Sequence, residues 1–121
     1  MAVSERDIQT AILIELSSGD TRLFRVNAGM AWAGQVINRT ADTITLKHPY
    51  PIRLGVEGMS DLLGITAGGK FASIEVKKPG HRTDKAHMEA QMRFIAMVNR
   101  LGGRAGIAES VEDARRILTG K

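Results

Sequence analysis

The sequence predicts an α/β fold in which helices flank a mixed central sheet, and three observations carry that expectation. Helical and extended segments follow one another in the order helix, strands, helix, strand, helix, which builds a sheet with helices packed on it. TRLFRVN (21–27) alternates in polarity and is rich in strand formers. Two further apolar runs, 61–66 and 70–77, flank a turn at Ala67, Gly68 and Gly69, as a β-hairpin requires.

Each element has a local reason. Ser4 followed by Asp7 forms a capping box with Asp in place of Glu, opening a helix through about Ser17 that SSGD closes. The strand 21–27 ends near Asn27. QVINR (35–39) and TITLK (43–47), separated by TAD, are a second pair of short strands, and HPYPIRLGVEG (48–58) is expected to be irregular because two prolines and two glycines punctuate it. After the hairpin, Thr83 or Asp84 caps a helix to about Leu101, which Gly102 and Gly103 stop. A short strand, AGIA (105–108), and a helix opening at Ser110 complete the chain.

The length of 121 residues with 43% hydrophobic content fits one domain, 1–121. The absence of cysteine removes disulfides, thiolate zinc sites and cysteine nucleophiles from consideration. The N-terminal MAVSERDIQT lacks the basic start and apolar run of a signal peptide, and no stretch approaches the roughly 20 apolar residues of a membrane span, so a soluble protein acting in the cytoplasm is expected. The net charge of +4 is unevenly placed: residues 1–60 carry six basic and six acidic side chains, residues 61–121 eleven and seven. The second half is therefore the side for a polyanionic partner such as nucleic acid.

The hairpin holds the candidate chemistry. With a three-residue loop, Thr66 pairs with Lys70, and that register sets Asp61 opposite Glu75, with Cβ atoms roughly 5 Å apart. Two carboxylates so close repel unless a cation lies between them, and Lys77, two residues beyond Glu75, shares its face. Ile74 and Val76 point the other way, into apolar packing. A hard divalent ion suits the site, because Mg²⁺ is commonly held by one or two carboxylates plus substrate phosphate and water. A solvated Glu–Lys pair on a surface hairpin remains the competing reading. Two helical positions bear on the choice. Glu5 is in line with Ile12 and Leu16 and begins a core-facing stripe, unless it is an exposed first-turn acid favoured by the helix dipole. Gln91 shares a stripe with Ile95 and Val98, with His87 one turn earlier, and is either a satisfied core amide or a helper reaching the cluster.

Taken in order, Glu5 on a first helix, RVNAG (25–29), GMSD (58–61), EVK (75–77) and Gln91 on the following helix resemble the PD-(D/E)XK nuclease superfamily, and within it the virus-type replication-repair nuclease (VRR-NUC) domain, in its small stand-alone phage form. The likeness covers nearly the whole chain; one position departs, Ser60 standing where the family has proline. The resemblance implies Mg²⁺ or Mn²⁺ held by Asp61, Glu75 and the Val76 carbonyl, with Glu5 completing the shell directly or through water. It implies that Lys77 acts on the attacking water and the phosphate while Gln91 orients the cluster. The implied activity is that of a metal-dependent, structure-specific DNA endonuclease, most of all a Holliday-junction resolvase. A flap or nonspecific nuclease and a non-catalytic nucleic-acid-binding module are the alternatives. Two symmetric nicks need two sites, so a homodimer or higher homo-oligomer is expected. Arg25, Asn27, Lys78, Arg82, Lys85 and Arg93 are the candidate DNA contacts. The segment 34–57 exceeds the minimal core and is open to either of two roles, a DNA-contacting or a subunit-contacting arm.

Overall fold

The computed structural model describes residues 3–80 and 84–120. Its elements are α1 (Glu5–Leu16), β1 (Arg22–Arg25), β2 (Gly29–Arg39), β3 (Ile44–Leu54), β4 (Leu62–Ile65), β5 (Phe71–Val76), α2 (Lys85–Arg100), β6 (Arg104–Ala108) and α3 (Val111–Thr119). Strands β1, β4, β5 and β6 form the body sheet in that order, antiparallel except for the parallel β5–β6 pair that α2 connects. The sheet is mixed and flanked by helices, as the sequence predicts.

Local chemistry sets the helix ends. The Ser4 hydroxyl accepts from the Asp7 amide at 3.0 Å while the Ser4 amide donates to the Asp7 carboxylate at 3.2 Å, so two otherwise orphaned donors are satisfied reciprocally. Asp84 caps α2 by accepting from the His87 amide at 3.1 Å, and Ser110 does the same for α3 through Asp113. Thr83, the other candidate cap, lies outside the described residues.

One face of the body sheet carries the main core. Ile8, Ile12 and Leu16 of α1 and Ala114 of α3 pack on Leu23, Leu62, Ala72, Ile74, Val76 and Ala108. Their period of four on α1 and of two on β5 is what amphipathic elements meeting over one sheet face require. Helix α2 lies against β5 and β6 on the opposite face, burying Ala90, Gln91, Phe94, Ile95 and Val98.

The expectation of irregular chain at 48–58 needs correction. Strand β3 runs from Ile44 through Leu54 despite Pro49 and Pro51, and with β2 makes a separate two-stranded ribbon. Ala33 pairs with Tyr50 and Gln35 with Lys47, so His48 and Pro49 together face Gly34 in a β-bulge, and His48 adopts φ 53°. The bulge absorbs the proline that a regular ladder would reject, and Pro51 pairs with Trp32 at an edge where no donor is needed. Strand β2 likewise begins at Gly29, six residues before the predicted start.

Candidate active site

The hairpin register is the one its loop dictates. The Thr66 amide donates to the Lys70 carbonyl at 2.9 Å and Leu62 pairs with Ile74, which aligns Asp61 with Glu75 one step beyond the ladder. Gly69 takes φ 79°, a conformation that only glycine adopts without strain. Gly58, at φ 80°, is required for a second reason: a side chain there would strike the backbone of Ala90, so glycine lets the loop carrying Asp61 close onto α2.

Glu75 is the hub. It is 3% exposed, and its Oε2 accepts from Gln91 Nε2 at 2.9 Å and lies 3.3 Å from Lys77 Nζ. Its Oε1 is buried with no hydrogen-bond partner, as is Gln91 Oε1. Asp61 turns one oxygen to the Val76 amide at 2.9 Å, which fixes its carboxylate beside that of Glu75. Burial first, and the Asp61 charge second, push the Glu75 carboxyl up to about 7, against the opposing pull of Lys77. A buried acid with an unmet oxygen and a like charge beside it is a site that a cation relieves, so these residues fit a hard divalent ion.

Around them lies a polar cleft of about 270 Å³ bounded by Val26, Asn27, Ala28, Met59, Ser60, Asp61, Glu75, His87 and Gln91. Ser60 is 1% exposed and accepts a hydrogen bond from the Ser73 hydroxyl at 2.6 Å, which ties the loop before Asp61 to β5. His87 stands one helical turn before Gln91, so its spacing was the signal that could have added it to the candidate residues. A larger apolar cavity of about 460 Å³ lies elsewhere, between Phe71, Phe94, Met97 and Leu101, and carries none of this chemistry.

The structure brings Asp61, Glu75, Lys77, Gln91 and the Val76 backbone together, with Asn27 on the cleft wall. Other candidates fall elsewhere. Glu5 is half-buried at the start of α1 but does not line the cleft. Among the described residues no three His, Asp or Glu side chains gather closely enough to hold a metal ion, so the expected Glu5 contribution to the shell is not assembled in this structure. Arg25 is turned away from the cleft: its guanidinium donates to Gln9 Oε1 at 3.0 Å and to Thr10 Oγ1 at 2.6 Å, clamping β1 to α1. Lys78 and Lys85 are exposed, whereas Arg93, exposed but two residues past Gln91, is about 200° around the helix and faces away. Arg82 lies outside the described residues.

A mixed sheet presenting two carboxylates and a lysine from one hairpin, with a helical glutamine holding the second acid, defines a PD-(D/E)XK-type nuclease. The family model for the VRR-NUC domain matches residues 4–112, and the chain belongs to that family. Among curated proteins, none matches its sequence. Membership makes the protein a nuclease whose partner is DNA. No described helix is long and apolar enough to cross a membrane.

Proposed function

We propose that the protein is a Mg²⁺- or Mn²⁺-dependent endonuclease that cuts branched DNA, Holliday junctions foremost, leaving a 5′-phosphate and a 3′-hydroxyl. The observation that carries the reading is the unpartnered, buried Glu75 Oε1 beside Asp61 in a polar cleft. Asp61, Glu75 and the Val76 carbonyl are the residues that would hold the ion. When bound, such an ion supplies positive charge for the scissile phosphate and makes water acidic enough to yield a nucleophile near neutral pH.

The chain's own residues have separable tasks. Gln91 holds Glu75 Oε2, leaving Oε1 buried and without a hydrogen-bond partner. The Val76 amide fixes Asp61 in the same way. Lys77, 8% exposed, brings an ammonium to the cluster at low dielectric, where it counters charge growing on the phosphate and holds the attacking water. Asn27 on the wall and Lys78 and Lys85 outside it supply contacts to the DNA backbone. Junction preference is supported by the expectation of a two-site dimer, since paired nicks across a four-way junction need two such clefts. Cleavage of junction, flap and linear duplex DNA, each with Mg²⁺, with Mn²⁺ and with EDTA, tests the proposal: junction nicks abolished by EDTA are expected, and metal-independent or absent cleavage overturns it.

A further inference from the structure

The polar cleft at Asp61 and Glu75 continues into a second compartment of about 150 Å³, which shares Ala28, Met59, His87 and Gln91 with it and adds Arg53, Val56 and Glu57. Four common residues make the two compartments neighbours in one groove. The end of β3 and the turn that follows it build the added wall. The Met59 amide donates to the Val56 carbonyl at 3.1 Å, which closes that turn. A side chain at Gly55 would strike the Met59 thioether, so glycine lets the chain leaving β3 pass close to Met59 and Ala28. Through Arg53, Val56 and Glu57, the segment that exceeds the minimal core therefore reaches the groove.

The lining decides what fits. Arg53 and His87 offer N–H donors, whereas the Glu57 carboxylate and the Gln91 side-chain carbonyl are acceptors. Gln91 is 5% exposed, and its Oε1 is buried with no hydrogen-bond partner among the described residues. Ala28, Val56 and Met59 supply apolar surface. A phosphodiester carries acceptors only, so in this compartment it would leave the Gln91 oxygen unmet and bring its charge against Glu57. A nucleobase combines N–H donors, acceptors and an apolar π face, and so meets each part of the lining. His87 supplies a ring for stacking, and Met59 a polarizable sulfur that favours aromatic contact.

We propose that this compartment takes one unpaired base of a branched DNA, turned out of its stack beside the phosphate at Asp61 and Glu75. The inference rests on the reading of that site as the cutting centre and adds a reason for branched DNA to be preferred. Turning a base out costs least where pairing is already broken, so a base seat favours branch points over linear duplex. His87 and Arg53 are then DNA contacts of a different kind from Lys78 and Lys85, because they meet a base rather than the backbone.

Binding of a four-way junction to Asp61→Asn, followed by fluorescence anisotropy with abasic sites placed in turn at the nucleotides around the branch point, tests it. At one position, loss of the base is expected to weaken binding by about tenfold, the scale of one stacked base. That penalty should vanish when His87→Ala or Arg53→Ala is added, because base and side chain form one contact and removing either removes it. Both side chains are exposed, so thermal melting should report an unchanged fold. A penalty at no position would overturn the proposal, as would one that persists in full in both variants. Variants that bind intact and abasic junctions equally weakly relative to the parent background, with a lower salt slope and the penalty intact, would assign the compartment to phosphate instead. Cleavage of the same junctions by the parent chain with Mg²⁺ separates the two claims. Nicks without an abasic penalty in binding sink the base seat alone, whereas a penalty without nicks supports the seat and sinks the endonuclease reading.

Discussion

Glu75 makes the metal-free protein less stable as pH rises, and the size of the effect follows from its surroundings. Burial first, and the Asp61 charge second, disfavour its charged form and push the carboxyl up from the ordinary 4.5 to about 7 in the fold. A folded-state pKa above the unfolded value means that the native state holds the proton more tightly. Stability from this group is therefore complete below about pH 4.5 and is lost as pH climbs through 7. The displacement corresponds to roughly 3 kcal/mol across that window, or about 10 °C in melting temperature for a chain of this size. Melting in EDTA from pH 5 to 8.5, taken as the difference between the parent and Glu75→Gln, isolates the group. Other titrating residues cancel in the difference, and the loss of the Lys77 pair adds a constant offset rather than a slope. The parent should lose stability relative to Glu75→Gln as pH rises, and Mg²⁺ or Mn²⁺ should restore most of it by binding the ionised native site. A flat difference, or one of opposite sign, would refute the reasoning.

Other outcomes follow from the same geometry. Asp61→Asn is nearly isosteric and should fold, yet lose cleavage on the order of 10³-fold and show a smaller metal-induced rise in melting temperature. Lys77→Ala should keep the metal-induced rise while cleavage collapses, because it removes a cation and not a ligand; equal loss of both would assign Lys77 to folding. Lys78→Glu with Lys85→Glu should weaken DNA binding and lower the slope of log affinity against log salt by about 2, one phosphate contact for each lysine; an unchanged titration would remove both from the interface. Arg25→Ala should lower stability by about 1 kcal/mol through lost hydrogen bonds to Gln9 and Thr10, with little change in the salt slope of DNA binding.

What could be read from the sequence was what local chemistry decides. Ser4 with Asp7 specifies a helix start within four residues, and a three-residue loop with Gly69 fixes the hairpin register, which in turn brings Asp61 to Glu75. Gln91 was legible because helical periodicity placed it with Ile95 and Val98 on the face that α2 buries. The misses are non-local. Two prolines argued against a strand at 48–54, and only the bulge opposite Gly34 and an unshared strand edge make them compatible with one. Arg25 was expected to line the cleft from a strand neighbouring the hairpin, but its partners Gln9 and Thr10 lie on another element. Glu5 was aligned correctly with the α1 core stripe, yet alignment on a helix does not say how far the helix start stands from the hairpin.

The central claim is that Asp61 and Glu75 form the metal-dependent nuclease centre, and one comparison tests it most directly: cleavage of a four-way junction by the parent and by Asp61→Asn, with Mg²⁺ or Mn²⁺ and with EDTA, both proteins first shown to be equally folded and to bind the junction. The account predicts paired nicks by the parent with either metal, none in EDTA and none by the variant. Cutting by Asp61→Asn at the parent's rate, or undiminished cutting in EDTA, would contradict it and return the hairpin to an ordinary charged surface.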